Sequence, residues 1–566
     1  MPLTWKNRPF EAPPPDLDSL AAKLQVSPRI IHILWTRGLH KQADMDRFLS
    51  PGLKHLPPLK KWPGLAEAAQ IAAKSLEQGK KPAIWGDYDV DGVTSTALLS
   101  EFLQMRGFEP MHHLPRRQEE GYGLNTPGVE DLAARGAGLL ITVDCGISDA
   151  EPVARAKQLG MDVIITDHHL PGDQLPPADA VVNPRLGDSP SMDLAGVGVA
   201  FLLAAAMNNA LPGEKIDVRR FLDLVALGTI ADVVPLSDLN RILVKNGLLM
   251  IAEAGRPGIA ALKEASSYNP RAPLTAGQVA FGLAPRINAA GRMGEADTAF
   301  ELMLAADLDT ARPRAARLDA MNTDRRRIED RILAEAMEQA KQQQDRQALV
   351  LHSPEWHSGV IGIVASRVAE AFYRPVLILC REDGYYKGSG RSISEVDLHA
   401  ALTCCSSHLA RFGGHRQAAG VTLEPENLEA FAESFNAAVS EQTGGVPVTP
   451  SLYVDGELGF SEIDFTLLKE LDLLQPFGIA NPEPVFISPR VAVTDHRVFG
   501  KNHVKLALRD EAAGVTFSAK AWRQAENMPH DMRGRVLRVV FTPKIDYYGG
   551  VPTIDLNIKD WKEEGS

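Results

Sequence analysis

Short apolar runs alternate with longer segments of helical period along most of this chain. Residues 81–85 form an apolar run that stops at Gly86. Residues 138–143 (GLLITV) stop at Asp144, residues 161–166 (MDVIIT) stop at Asp167, and residues 180–182 make a fourth run. Helical patterns separate them, as in residues 93–106. Continuous apolar strands spaced by helices predict a parallel sheet covered on both faces. Upstream, residues 18–50 predict short helices after an irregular, proline-rich entry at 12–16 (APPPD). Residues 195–310 are mostly helical in pattern. Residues 310–345 predict one long polar helix with Pro313 near its start, of the kind that bridges domains. A second α/β unit follows, with strands at 348–351 and 376–380 and an amphipathic helix at 427–439. Residues 442–450 (QTGGVPVTP) have linker composition. Beyond them, short alternating strands with turn signals such as Tyr548-Gly549-Gly550 predict a small β-barrel. The expected division is therefore an N-terminal extension (1–50), a first α/β domain (51–309), a connecting helix (310–345), a second domain (346–445) and a barrel (446–566).

Composition narrows the function without naming it. The 566 residues are 45% hydrophobic and 23% charged, so a sizeable core is available and disorder is not expected. A net charge of −12 argues against coating nucleic acid by bulk charge, but leaves room for a local basic stripe. The four cysteines, Cys145, Cys380, Cys404 and Cys405, form no CxxC pair and are expected to be buried free thiols. No apolar run reaches the roughly 18 residues of a membrane span, and the N-terminus lacks a secretory h-region. The expected location is the cytoplasm, with no membrane partner.

The chemistry is concentrated where the strands stop. Asp87, Asp89 and Asp91 lie in Gly86-Asp87-Tyr88-Asp89-Val90-Asp91-Gly92, directly after a strand and before a helix. In an open parallel sheet, ligands bind beyond the carboxyl ends of the strands. Taken alone, this stretch can be a solvated acidic turn. It can also be an EF-hand-like calcium loop, but that loop requires a Glu where Leu98 stands and helices on both sides. A single Asp after a strand is commonly a helix N-cap, and a single His a satisfied polar group. Here Asp144 and Asp167-His168-His169 end successive strands, and Asp232 sits in an apolar run where an unpaired charge is costly. Carboxylates mixed with imidazoles suit Mn²⁺ or Mg²⁺, and two ions about 3.5–4 Å apart activate water against a phosphodiester. Neither a GxSxG nucleophile elbow nor a P-loop is present, so a metal-activated water is the favoured nucleophile.

These motifs, in the order DxDxDG, VDCG, TDHH and GTIADVVPL, resemble the DHH phosphoesterase superfamily, which is named for the triplet Asp167-His168-His169. The likeness continues through Pro285-Arg286-Ile287-Asn288-Ala289-Ala290-Gly291-Arg292, His357-Ser358-Gly359-Val360-Ile361-Gly362, Gly413-Gly414-His415-Arg416-Gln417-Ala418-Ala419-Gly420 and Pro476-Phe477-Gly478-Ile479-Ala480-Asn481-Pro482-Glu483-Pro484. It spans residues 80–490 and is strongest to the exonuclease branch. One departure is Ala480, where the family often has Gly. The implied fold is α/β: a parallel-sheet DHH domain, a long connecting helix, a second α/β DHH-associated domain that binds nucleic acid, and a C-terminal OB-like β-barrel.

The implied activity is 5′-to-3′ exonuclease action on single-stranded DNA, releasing 5′-mononucleotides in recombinational, mismatch and base excision repair. The resemblance implies two Mn²⁺ or Mg²⁺ ions. Asp89 would hold one, Asp144 would bridge both, and Asp91, His168 and Asp232 would hold the second, with Asp87 beside them. His169 would touch the scissile phosphate. The partners implied are a single strand with a 5′ end, a single-strand-binding protein and a helicase, acting on a monomer.

Arg117, Arg286, Asn288, Arg292, His357, Ser389, Arg391, Ser392, Gly414 and His415 are the candidates for holding DNA. Arg forks match phosphate geometry. Surface salt bridging is the plain alternative for any one Arg, and Trp356 suits the core as well as it suits stacking. The arginines of residues 312–331 partly pair with interleaved acids, and their excess would line the DNA path. Lys501, His503, Lys505, Lys520, Trp522 and Arg523 mix basic and aromatic groups, as single-strand-binding barrels do. Two other readings remain: a phosphodiesterase for short oligonucleotides or cyclic dinucleotides, and a non-catalytic replication scaffold.

Overall fold

A computed structural model describes residues 3–9, 16–117, 119–547 and 550–564. The proline-rich residues 12–15, and Tyr548 and Gly549 of the expected turn, lie outside the described residues. Three main sheets organise the chain. The first is fully parallel, in the order Met111–His113, Lys81–Trp85, Ala137–Val143, Asp162–Thr166, Ala180–Val182. Its strands are buried runs such as AGLLITV, because helices cover both faces. The edge strand Met111–His113 was not expected; it is three residues long and half-buried, too short to register as a run. The strand order reverses between Lys81–Trp85 and Ala137–Val143. A crevice opens at such a reversal, outside the carboxyl ends of the two strands. Helices from Gly196–Ala210 to Ala296–Met303 pack against one face and extend that core.

The connecting helix runs Leu308–Gln342 and is capped by the Asp307 side chain. Three of its arginines are committed to acids on neighbouring elements. Arg312 pairs with Glu264, Arg314 with Glu301 and Arg317 with Glu295, while Arg325 pairs with Glu329 along the helix. The expected arginine excess is therefore reduced by helices packed alongside, while Arg325 also lines a cleft cavity with Asn288 and Arg292.

The second domain holds a mixed sheet, ordered Arg411–Gly414, Ala418–Leu423, Tyr385–Arg391, Val376–Glu382, Leu349–Ser353, and only the last pair is parallel. The glycine-rich segments SGR and GGH lie in or at the ends of strands. Packing requires two of these glycines: a Cβ on Gly390 would come within 2.9 Å of Leu377 Cδ2, and one on Gly414 within 2.4 Å of the Ala418 carbonyl oxygen.

The third sheet closes on itself. Val536–Asp546 pairs with both Val491–Phe499 and Thr553–Glu563, and Thr553–Glu563 also pairs with Val515–Ala521. The N-terminal residues are joined to this barrel. Helices Leu17–Leu24, Pro28–Thr36 and Gln42–Leu49 share its apolar core, and Thr4–Asn7 pairs in parallel with Ser451–Val454. Buried Arg241 ties this assembly to the first domain by donating to the carbonyls of Phe48, Leu473 and Leu474. Ala480 has φ of 60°, the left-handed region where glycine is at ease, so the departure from Gly carries a small backbone strain. Cys145, Cys380 and Cys405 are buried; Cys404 is exposed, against expectation. Among the described residues no helix is long and apolar enough to cross a membrane.

Candidate active site

The crevice gathers Asp87, Asp89, Asp91, Asp144, His168, His169 and Asp232. Asp89 caps the helix Val90–Met105, its Oδ1 accepting from the amides of Asp91 and Gly92. Asn288 Oδ1 accepts from the Val90 amide, so it braces this loop. Asp91 is buried and receives the Gly196 amide at 2.6 Å and the Val197 amide at 2.8 Å. Those amides open the helix Gly196–Ala210, whose positive end favours a carboxylate. The approach is possible because residue 196 is glycine: a Cβ there would lie 2.7 Å from Asp144 Cβ. Asp144 itself has φ of 61°, a strained backbone at the exit of its strand.

His168 Nε2 points into the carboxylates, 3.1 Å from Asp144, 3.6 Å from Asp232 and 3.9 Å from Asp91. The ring also bonds the Leu194 backbone, which fixes its orientation. Burial, then the neighbouring His169, lowers His168 to about 4, so the ring is neutral and Nε2 can act as a ligand.

The carboxylates shift the other way. Burial, followed by the Asp89 charge, raises Asp91 to about 7. Burial, followed by Asp91 and Asp89, raises Asp232 to about 9. Asp144 and Asp87 are also pushed well above the usual carboxylate range, first by burial and then by neighbouring carboxylates. Asp87 Oδ1, Asp144 Oδ1, His168 Nε2 and Asp232 Oδ2 are buried without a hydrogen-bond partner. Such an arrangement is costly unless cations satisfy it.

The donor sets fit two hard divalent ions. Asp87, Asp89 and Asp144 bring ligand atoms together, as do Asp91, His168 and Asp232; a third set, Asp144, His168 and His169, overlaps both. Oxygen-rich sets with one imidazole suit Mn²⁺ or Mg²⁺.

His169 is held differently. Its Nδ1 lies 2.8 Å from Asp167 Oδ1 and 3.1 Å from the Tyr122 hydroxyl, which donates to the Asp144 carbonyl. This network places the proton on Nδ1 and leaves Nε2 toward the cleft. Burial lowers its pKa, but the hydrogen bond and charge of Asp167 outweigh that and raise it overall.

Asp167 is a bracket: it also accepts from the amides of Ile147, His168 and His169. The carbonyl side of the triplet is held from the neighbouring strand's exit. Asn183 Nδ2 donates to the His169 carbonyl and Arg185 Nε to the His168 carbonyl. Neither Tyr122 nor Asn183 nor Arg185 was among the residues expected at the site. Asn183 and Arg185 follow directly on residues 180–182, where the strand-end rule would have found them.

A cavity of about 640 Å³ adjoins the centre and is lined by Arg117, Arg292, Ser389, Arg391, Gly414 and neighbours. Arg117 sits over the Tyr88 ring at 5.5 Å. Burial, then Arg117 and Arg325, lowers Arg292 to about 10; burial, then Arg117, lowers Arg391. Guanidiniums that repel one another in a shared cavity form an anion site.

Five expected DNA contacts are not on this wall, and Asn288 braces the Val90 amide instead. Arg286 is committed to Asp319 and to the Gly282 and Ala265 carbonyls. Ser392 donates to the Val396 carbonyl, and His357 Nδ1 accepts from the Gly359 amide. The His415 amide donates to the Ala418 carbonyl, and its side chain is exposed outside the cavity. Trp356 is core, with its indole donating to Glu335.

Comparison with known proteins matches residues 81–229 to the DHH family N-terminal domain, 328–441 to the DHHA1 domain and 454–560 to the RecJ OB domain. The single-stranded-DNA-specific exonuclease RecJ of Salmonella typhimurium is 37% identical over 570 residues, covering 97% of this chain and 96% of its own. RecJ from Thermus thermophilus, solved in complex with Mn²⁺, superposes with a TM-score of 0.84 at 32% identity, covering 100% of this chain and 80% of that one. A Mg²⁺ complex of the same protein gives 0.77 at 31% identity, covering 100% and 79%.

Proposed function

This chain belongs to the RecJ family of single-stranded-DNA-specific exonucleases, and from that premise we propose that it removes 5′-mononucleotides stepwise from the 5′ end of a single strand. The observation that carries the reading is a pair of adjoining clusters of opposite sign. Buried carboxylates with raised pKa values face a cavity of arginines with lowered ones. A strand whose terminal phosphate enters the arginine cavity presents its next phosphodiester to the carboxylate centre.

Asp89 and Asp87 would hold one ion, Asp91, His168 and Asp232 the other, and Asp144 would bridge them. When bound, Mn²⁺ or Mg²⁺ neutralises the carboxylates and lowers the pKa of the attacking water. His169, with its proton on Nδ1 held by Asp167, directs Nε2 at the phosphate; once protonated there, it donates to a phosphate oxygen. Arg391 and Ser389 would hold the 5′-terminal phosphate, with Arg117 and Arg292 beside them. Nη1 of Arg391 already lies 3.2 Å from Ser389 Oγ, so the two act as one unit.

The barrel carries an aromatic group formed by half-buried Phe499 and His503 and exposed Trp522, with Trp522 5.0 Å from His503 and 5.7 Å from Phe499. Stacking there would retain the trailing strand. An enzyme restricted to single strands requires a helicase to open duplex DNA and meets strands coated by single-strand-binding protein. Both are the proposed partners in recombination and repair, with the chain acting as a cytoplasmic monomer.

The test is a time course on single-stranded DNA labelled at its 5′ end, with Mn²⁺ or Mg²⁺, beside Asp144→Ala. Immediate release of labelled mononucleotide, absent in the variant and with blunt duplex, is expected. A labelled ladder shortening from the 3′ end would reverse the polarity, and intact DNA with cleaved dinucleotides would favour a small-substrate phosphodiesterase.

A further inference from the structure

Residues 115–123 carry two groups toward the cleft. Arg117 enters the arginine cavity and sits over the Tyr88 ring at 5.5 Å. The Tyr122 hydroxyl donates to the Asp144 carbonyl at 3.1 Å and lies 3.1 Å from His169 Nδ1. The backbone here does not fix itself. Gly121 and Gly123, on either side of Tyr122, have φ of 85° and 84°, the left-handed region that glycine enters without strain and with no side chain to hold it there. Another contact has to set where both side chains arrive.

Glu120 stands between the two and faces the other way. With His113, Arg116 and Asn125 it lines a separate cavity of about 890 Å³, which shares no lining residue with the arginine cavity. Its Oε1 accepts from the Arg116 amide at 2.9 Å and closes the turn that contains Arg117. Its Oε2 accepts from Asn125 Nδ2 at 3.0 Å and lies 2.8 Å from His113 Nε2. Both anchors belong to regular elements. Asn125 caps the helix Thr126–Ala134, its Oδ1 accepting from the Gly128 amide. His113 ends the edge strand, pairs in register with Trp85 and stacks on that buried ring at 4.0 Å. The His113 carbonyl accepts from the Gly86 amide, directly before Asp87. Burial raises the Glu120 pKa, but the hydrogen bonds from Arg116, Asn125 and His113 outweigh it and hold the carboxylate below its ordinary value.

We propose that Glu120 is a positioning residue: it clasps residues 115–123 to the strand that leads into the carboxylate loop, and so sets Arg117 and Tyr122 together. The proposal rests on the exonuclease reading above. Glu120 belongs to neither the carboxylate sets nor the arginine cavity, so it acts through the residues it holds. Arg117 serves the phosphate cavity and Tyr122 the His169 network, yet one carboxylate anchors both. Freeing the segment moves both side chains at once, and a misplacement of about 1 Å is enough to cost about 100-fold in rate.

Steady-state cleavage of 5′-phosphorylated single strands by Glu120→Ala, Arg117→Ala, Tyr122→Phe and the two double variants that include Glu120→Ala tests this. Arg117→Ala should act mainly on KM and Tyr122→Phe mainly on kcat. Glu120→Ala should raise KM and lower kcat together, by about 100-fold in kcat/KM. Because it already misplaces both side chains, each double variant should lose much less than the product of its single losses. Glu120→Ala combined with Arg391→Ala should lose the full product. Glu120→Gln keeps an acceptor for the Arg116 amide and should fall between Glu120→Ala and wild type; it carries the same comparisons should Glu120→Ala fail to fold. A second readout is independent of activity: trypsin should cut after Arg116 or Arg117 faster in the variant than in wild type, with circular dichroism unchanged. Unchanged KM and kcat, losses that multiply in both double variants, or equal tryptic cleavage would overturn the clasp. A wild-type protein that leaves the strand intact, beside a variant that is cut faster by trypsin, would sink the exonuclease reading while the clasp stands.

Discussion

Replacing Asp232 by Asn asks whether the buried carboxylates are arranged for cations at the expense of the ion-free fold. Burial and the charges of Asp91 and Asp89 raise Asp232 from 3.8 to about 9 in the folded chain. In the unfolded chain it titrates near the ordinary value. Between those two values the folded state holds one proton more than the unfolded state. Stability must then fall as pH rises, by about 1.4 kcal/mol per pH unit for each such group. The contribution is complete below about pH 4 and drains away toward pH 9. From about pH 5 to about pH 7, Asp232 alone should remove about 3 kcal/mol. Asp91, raised to about 7, acts in the same direction over the lower part of that range.

Asp232→Asn has no such proton to lose. In EDTA its first urea transition should therefore depend on pH less steeply than that of the wild-type chain, by about 3 kcal/mol over the same range. Adding Mn²⁺ should reverse the wild-type trend, because the ions bind only the deprotonated carboxylates and stabilise more as pH rises. The variant should recover less. Circular dichroism through urea titrations at several pH values measures both effects. Equal pH slopes for the two proteins in EDTA would refute the argument.

The brackets behind the histidines give a second test. Asn183→Ala or Arg185→Ala should weaken Mn²⁺ binding about 10- to 100-fold, read from the electron paramagnetic resonance of free Mn²⁺, while circular dichroism stays as in wild type. Arg391→Ala should cost about 10- to 100-fold in KM on 5′-phosphorylated strands and far less on 5′-hydroxyl strands, measured side by side. Trp522→Ala should weaken binding of long single strands about 10-fold and of very short ones hardly at all, by fluorescence anisotropy.

Much of the centre was legible in the sequence because its proposed ligands are delivered by one local rule. A strand ends and an acid or imidazole follows, and Asp87, Asp89, Asp91, Asp144 and His168 all obey it. Asp232 obeys another: a charge at the C-terminal end of an apolar helix, Leu222–Ala231, has to be explained by what it faces. Sequence position alone could not settle what the arginines face. Arg286 and Arg292 flank the same small-residue helix six positions apart, yet Arg286 is taken by Asp319 of the connecting helix while Arg292 reaches the cavity and the Gly359 carbonyl. Their residue types are identical, and partners brought in from more than 30 residues away decide between them. The N-terminal helices show the same limit: their apolar faces were visible, but not that the barrel at the other end of the chain would cover them.

That limit bears on how the cleft is built. The carboxylates are held against their mutual repulsion by other elements: Gly196 and Val197 hold Asp91, Asn288 holds the Val90 amide, and Asn183 and Arg185 hold the triplet. Each of these supports is neutral or cationic and acts through a backbone contact, so it positions a ligand without competing for an ion. The arginine cavity depends on the opposite arrangement, in which cations are left incompletely paired. Arg117, Arg292 and Arg391 converge from the first domain and from the sheet of the second, so the cavity requires both. A phosphate that enters it relieves their repulsion, and ions at the carboxylate centre relieve the other. A strand that spans both clusters sets its terminal phosphate among the arginines and its next phosphodiester at the carboxylate centre. This gives a physical reason why a terminal phosphate and the scissile bond beyond it should be recognised as one unit.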